Sequence, residues 1–142
     1  MASYAAELVT VAWGPGLILN AFADGTFVEA ERNEVGFSQS VGASGEVCRN
    51  KMGNKTGTIK LRLLQSSSQN DVLSEYALLD DTVGGQVYPI AVRDLSGTSL
   101  AEGEKAYIQK IPKLDRAKEI GSTEWIFLVD NIMIFNGGIL AP

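Results

Sequence analysis

Between Thr56 and Asp81 the hydrophobic and polar positions follow first one period and then another. Ile59, Leu61 and Leu63 alternate with Thr58, Lys60 and Arg62. A period of two sends the aliphatics to one face of a strand and the long cations to the other. Ser66, Ser67 and Ser68 end that strand, and Ser68 is followed three residues on by Asp71. This Ser-x-x-Asp pattern predicts a helix start: the hydroxyl accepts from an early helical N–H, and the carboxylate suits the positive helix end. Val72, Leu73, Tyr76, Ala77 and Leu79 then recur at helical spacing, with Ser74 and Glu75 between them. The spacing predicts an amphipathic helix of about three turns over 69–81. It is the one strong helical signal, and the rest of the chain reads mainly as strands.

Upstream, Met1 to Pro15 reads as a loosely placed arm leading into a first strand, and Gly14-Pro15-Gly16 breaks the chain. Leu17 to Phe22 is extended. Asp24-Gly25 is a hairpin turn signal, with Thr26 to Arg32 as the returning strand. On that return Phe27, Glu29, Glu31 and Asn33 share one face, and Val28 and Ala30 the other. A row of carboxylates requires water or an aqueous channel on its side. Downstream, Gln86 to Arg93 and Ser99 to Ile111 read as strands, separated by a turn over Asp94 to Gly97. Trp125 to Phe135 is a final strand pair or one bent strand. Trp125, Phe127, Val129 and Met133 share a face, with Ile126, Leu128 and Ile132 opposite, so both faces are expected to be covered. Sheet packing, a helix or another subunit would provide that cover.

Two stretches break the pattern. From Gly36 to Lys55, Gly36, Gly42, Gly45 and Gly53 are spread among Ser, Asn and Lys, with few large aliphatics. The stretch reads as a long hairpin or flexible loop, and Arg49, Lys51 and Lys55 make it locally basic. Lys110, Lys113, Arg116 and Lys118 form a second basic run, interrupted by Asp115 and Glu119. It reads as a solvated loop or as a contact with an acidic neighbouring subunit.

The chain has 142 residues, which fits one domain with one core, and its 45% hydrophobic content suits a globular protein. The net charge is −5, which opposes adhesion to nucleic acid. There is no histidine, so the chain lacks the usual side-chain base poised near neutral pH and an imidazole metal ligand. Cys48 is alone, which rules out an internal disulfide; it reads as a small buried or half-buried side chain. The apolar stretch Trp125 to Phe135 is too short to span a bilayer, and the N-terminus lacks the basic region of a signal peptide. No glycine loop continues into a phosphate-binding motif, and the 15 glycines fit tight turns in a hairpin-rich protein.

Several segments, in order, resemble the tail tube proteins of tailed bacteriophages, particularly of contractile tails. They are ADGTFVEAERNE (23–34), VGASGEV (41–47), NKTGTIKLRLLQSSSQNDVLSEYALLDD (54–81), YPIAVRDLSG (88–97) and the Glu124-Trp125 pair opening the last strand. The resemblance implies a mainly β fold: a small β-sandwich or part-barrel over 1–142 with one flanking helix and a long extended hairpin. It implies a structural virion protein, without catalysis or cofactor, whose copies form hexameric rings that stack into a hollow tube. DNA would pass through that tube without specific binding. The implied partners are the chain itself and the tail sheath, baseplate hub and tail terminator proteins, with assembly in the host cytoplasm and no membrane association. On that reading Glu29 and Glu31 are candidates for the lumen wall. Arg49, Lys51 and Lys55, within the 36–55 segment, are candidates for ring stacking. The helix would pack across the sheets, away from the lumen.

Two other readings stand beside it. One is the tube subunit of a contractile injection or secretion machine. The other is a monomeric acidic β-barrel that binds a small ligand, or an enzyme using the carboxylates Asp94 and Glu104.

Overall fold

A computed structural model describes residues 4–139 and is mainly β with one helix. The strands are β1 (Val9–Trp13), β2 (Leu17–Leu19), β3 (Val28–Arg32), β4 (Phe37–Val41), β5 (Val47–Lys51) and β6 (Gly57–Leu64). The helix α1 (Gln69–Thr82) follows, then β7 (Tyr88–Asp94), β8 (Leu100–Ile108), β9 (Ser122–Val129) and β10 (Met133–Phe135). Eight strands form one antiparallel sheet in the order β2-β1-β7-β8-β9-β6-β3, with β10 added to β8. The sheet curls around a core without closing. β4 and β5 form a separate two-stranded sheet.

The alternation in β6 sets the core. Ile59, Leu61 and Leu63 are fully buried, and each faces a residue of β9 or its flank in register: Phe127, Trp125 and Thr123. Val11 and Trp13 of β1 enter the same cluster, as do Leu73 and Ala77 of α1. Each such large side chain contributes about 1.5–3 kcal/mol through burial. Trp13 lies edge-on to Tyr76 and Tyr88 at centroid distances of 5.1 and 5.4 Å. Its Nε1 donates to the Ala106 carbonyl at 3.0 Å, so the buried indole is satisfied. Trp125 Nε1 donates to Asn70 Oδ1 at 2.9 Å and fastens the start of α1 to the sheet.

Several expectations are corrected. The stretch read as an arm contains β1, whose Val9, Val11 and Trp13 are buried; residues 1–3 of it lie outside the described residues. Gly14-Pro15-Gly16 is the turn of a β1–β2 hairpin, and Gly14 and Gly16 both adopt positive φ there. Asp24-Gly25 does turn the chain, with Gly25 at φ 82°, but no hairpin forms around it. β3 pairs with β6, and Phe22 bridges to Leu63 of the same strand. Ser68 makes no capping hydrogen bond, because its own backbone is already helical. Ser67 Oγ instead accepts from the Gln69 amide at 3.1 Å. Cys48 is exposed, because the hairpin that carries it stands off the core.

The last strand is one bent strand. Val129 pairs with Ala106 and Met133 with Glu102, so β9 and β10 keep one register along β8. Asp130 to Ile132 forms the bend. It changes which side faces inward: Ile132 is buried and Ile134 packs on the core, while Met133 turns outward. Ile126 and Leu128 are only half-buried, so the outer face of β9 is incompletely covered by the chain itself.

Candidate assembly surfaces

Glu29 and Glu31 sit on the exposed side of β3, opposite the half-buried Val28 and Ala30. The neighbouring strands add Lys60 and Arg62 from β6 and Glu124 from β9. Glu29 stands across from Lys60, and Arg62 across from Glu124. In antiparallel pairs, residues directly opposite share a face. The face therefore carries carboxylates partly offset by cations, and it is more nearly neutral than β3 alone suggests. α1 packs on the other side of this sheet, where Leu73 and Ala77 join the core.

The segment after β3 leaves the body. Every residue of β4 and β5 is exposed, and the pair is tied by Met52 N–H to the Gly36 carbonyl at 2.9 Å and by a turn at Gly42 to Glu46. Gly45 takes φ 86° in that turn. One hairpin face presents Ser38, Ser40, Cys48 and Asn50, with Asn50 Nδ2 donating to Ser40 Oγ at 2.8 Å. The other presents Phe37, Val41 and Val47 together with Arg49 and Lys51. The Arg49 guanidinium lies 4.3 Å from the centroid of the Phe37 ring, a cation–π contact. Lys55 is apart from these two cations, at the foot of the hairpin, where its carbonyl accepts from Ile132 N–H at 3.0 Å. An isolated two-stranded hairpin is marginal in water, and this one carries apolar side chains that the described residues leave exposed.

Three further surfaces stand out, of which only the third was read from sequence. The first is the open side of the curled sheet. Among the described residues β3 pairs only with β6, and β10 only with β8, and between them runs a cleft of about 390 Å³. Val28, Ala30, Val92, Ala101 and Ile134 line it, so it exposes the apolar interior. No local pattern reveals it, because strand order is a non-local property. β2 is different: Gln69 of α1 covers its far margin, accepting from the Asn20 and Ala21 amides at 3.1 Å and donating to the Ile18 carbonyl at 3.1 Å.

The second is the outer face of α1. Asp71, Glu75, Leu78 and Thr82 recur along it at helical spacing, flanked by Leu79 and Asp81, and all are exposed. No lysine or arginine occurs between Gln69 and Thr82, and that imbalance was the available signal. The third is the loop 109–121, which holds the second basic run. Gln65 ties it down: its Nε2 donates to the Asp115 carbonyl at 3.2 Å, and its Oε1 accepts from Gly121 N–H at 2.9 Å.

Asp94 and Glu104 do not form a reactive pair. Asp94 Oδ1 accepts from the amide and hydroxyl of Ser96, closing the turn before β8, whereas Glu104 is exposed on β8. Among the described residues, no group of three or more His, Cys, Asp or Glu converges to hold a metal ion. No described helix is long and apolar enough to cross a membrane. What the geometry offers is uncovered edges, faces and projections, which are features of an assembling part.

A family model described as "Bacteriophage PhiTE tail tube protein" matches residues 14–137. The chain belongs to this tail tube family. It is 27% identical over 143 residues to "Structural protein ORF10" of Pseudomonas phage KPP10, covering 96% of this chain and 83% of that protein. Its fold is also similar to two solved structures of contractile injection systems. One is the tube-terminating cap of the anti-feeding prophage, at TM-score 0.63 and 12% identity over 95% of this chain and 92% of that one. The other is a sheath/tube terminator of an extracellular contractile injection system, at TM-score 0.56 and 12% identity over 90% and 93%. As a member of the tail tube family the chain is a phage tail structural protein, and the family is one of structural components.

Proposed function

We propose that the chain is the repeating subunit of the inner tail tube. Copies close into hexameric rings, and rings stack into a hollow conduit through which phage DNA is delivered. The observation that carries this reading is the open side of the sheet: among the described residues β3 and β10 each have a free margin, and the cleft between them exposes apolar interior. Free strand margins invite pairing with another chain, and closing them between copies removes the hazard. The contact is heterologous, so it must close by rotation into a ring. A durable ring interface buries more than about 1,000 Å².

On this reading the face of Glu29 and Glu31 lines the bore. Its slight carboxylate excess repels phosphate and lets DNA slide without specific binding. The hairpin reaches the next ring; each of its strands has 5 residues and spans about 17 Å at about 3.3 Å per residue. Arg49 and Lys51 serve stacking there, and Lys55 serves it from the foot of the hairpin. The subunit works in the virion, assembled in the host cytoplasm, and meets the sheath, baseplate hub and terminator proteins.

A tube-ending subunit is the second reading, favoured by the likeness in fold to a tube-terminating cap and to a sheath/tube terminator. Light scattering across a concentration series, with negative-stain microscopy, separates them. A tube subunit gives hollow filaments of variable length, and an ending subunit gives single rings. A monomer at every concentration contradicts both.

A further inference from the structure

Among the described residues, the outward face of α1 has no partner. Asp71, Glu75 and Asp81 are exposed on it, and Leu78 is 54% exposed beside them. The helix has no basic residue in its last turn, where Asp81 sits. A carboxylate there opposes the negative end of the helix dipole, so a cation brought from outside would relieve two unfavourable terms together.

The loop 109–121 is complementary. It carries Lys110, Lys113, Arg116 and Lys118, and between them Leu114 is 84% and Ile120 65% exposed. Its Asp115 is tied to Gln65, four residues before α1 begins. The loop is therefore held near the N-terminal end of its own α1 and leaves the Leu78 and Asp81 end bare. One surface offers carboxylates around leucine, the other cations around leucine and isoleucine, and within one copy the loop is tied to Gln65 instead.

We propose that the 109–121 loop of one copy docks on the outer face of α1 in the next copy. This rests on the self-assembling reading and names a contact within it. Cations meet the carboxylates at the rim, and Leu114 and Ile120 cover Leu78. Each copy offers one of each surface, so the contact is head-to-tail and repeats around a ring.

The test uses two full-length variants. One carries Lys113→Glu with Lys118→Glu, and the other carries Glu75→Lys with Asp81→Lys. Each variant alone faces itself with like charges, whereas a mixture restores opposite charges at every contact. Self-association is read by sedimentation at low salt, and circular dichroism checks the fold. Each variant alone is expected to associate at least about tenfold more weakly than the unaltered protein, and the equimolar mixture to recover it. If a reversal disturbs the fold, Lys113→Gln with Lys118→Gln and Glu75→Gln with Asp81→Asn remove the charges without repulsion and must each weaken association.

Unaltered association of both variants, or a mixture no better than its parts, overturns the docking. So does a loss confined to one variant, which would assign the sensitive surface to a different partner. If the unaltered protein assembles while the variants assemble equally well, the tube reading stands and only this contact falls. If the unaltered protein stays monomeric and the mixed variants do not bind, both fall.

Discussion

Glu29 of β3 stands directly across the strand pair from Lys60 of β6. The charge that one strand displays is thus partly answered by its neighbour, and the pattern repeats where Arg62 faces Glu124. A bore built on this face would be weakly acidic, enough to repel a polyanion without trapping counterions at every ring. The same pairing makes the face sensitive to reversal.

Glu29→Lys places two cations opposite each other and is expected to destabilise the subunit by about 0.2–1 kcal/mol. Thermal unfolding monitored by circular dichroism checks this, and adding Lys60→Glu should restore the midpoint. The pair Glu29→Lys with Glu31→Lys should leave tubes forming but impair DNA passage, read as lost infectivity in a complementation assay. Normal infectivity counts against a lumen role for this face.

Gly57 and Gly103 lie where neighbouring side chains press against the strand backbone. A Cβ at Gly57 would overlap Ile132, and one at Gly103 would overlap Val129, both on or beside the bent last strand. Alanine at either position is expected to cost about 1–3 kcal/mol through overpacking. Urea denaturation should show a lower midpoint with an unchanged slope; an unchanged midpoint would mean that the bend relaxes freely.

Trp13 both fills the core and satisfies the Ala106 carbonyl. Trp13→Phe removes the donor and leaves a buried acceptor unpaired, at about 1–3 kcal/mol. Trp13→Ala adds a cavity and is expected to cost about 3–5 kcal/mol. Denaturant midpoints rank the two, and a mild Trp13→Ala would show that the site collapses.

Replacing residues 37–51 by a short glycine-serine turn is expected to leave the core intact, because β4 and β5 pair only with each other. Ring stacking should fail, giving single rings where the unaltered protein gives filaments. Filaments of unaltered length would remove the hairpin from stacking.

What the sequence disclosed was local. The alternation in β6 and the spacing in α1 located two core elements, since each has a strong period and strong side chains. β1 carries the same alternation, but Ala12 between Val11 and Trp13 weakens the contrast, and the small residues before it resemble an unstructured lead. The turn at Gly25 was legible from its chemistry, whereas the strand that β3 would join was not. That choice depends on Leu61 and Ile59, some thirty residues further on. The helix starts at Gln69 as the spacing implied, but Ser67 displaced Ser68 in accepting from an early amide, because the Ser68 backbone is itself helical. Glu29, Arg49 and Lys51 were visible as exposed charges. The open side between β3 and β10 was not visible, because an absent pairing leaves no mark on a single strand.

The central claim is that copies of this chain complete each other's free strand margins. Cryo-electron microscopy of the purified, concentrated protein tests it most directly. The account predicts rings of six subunits in which β3 or β10 of one copy meets the next across a continuous wall, around an open bore. Particles that remain single subunits with a closed, self-satisfied sheet would contradict it.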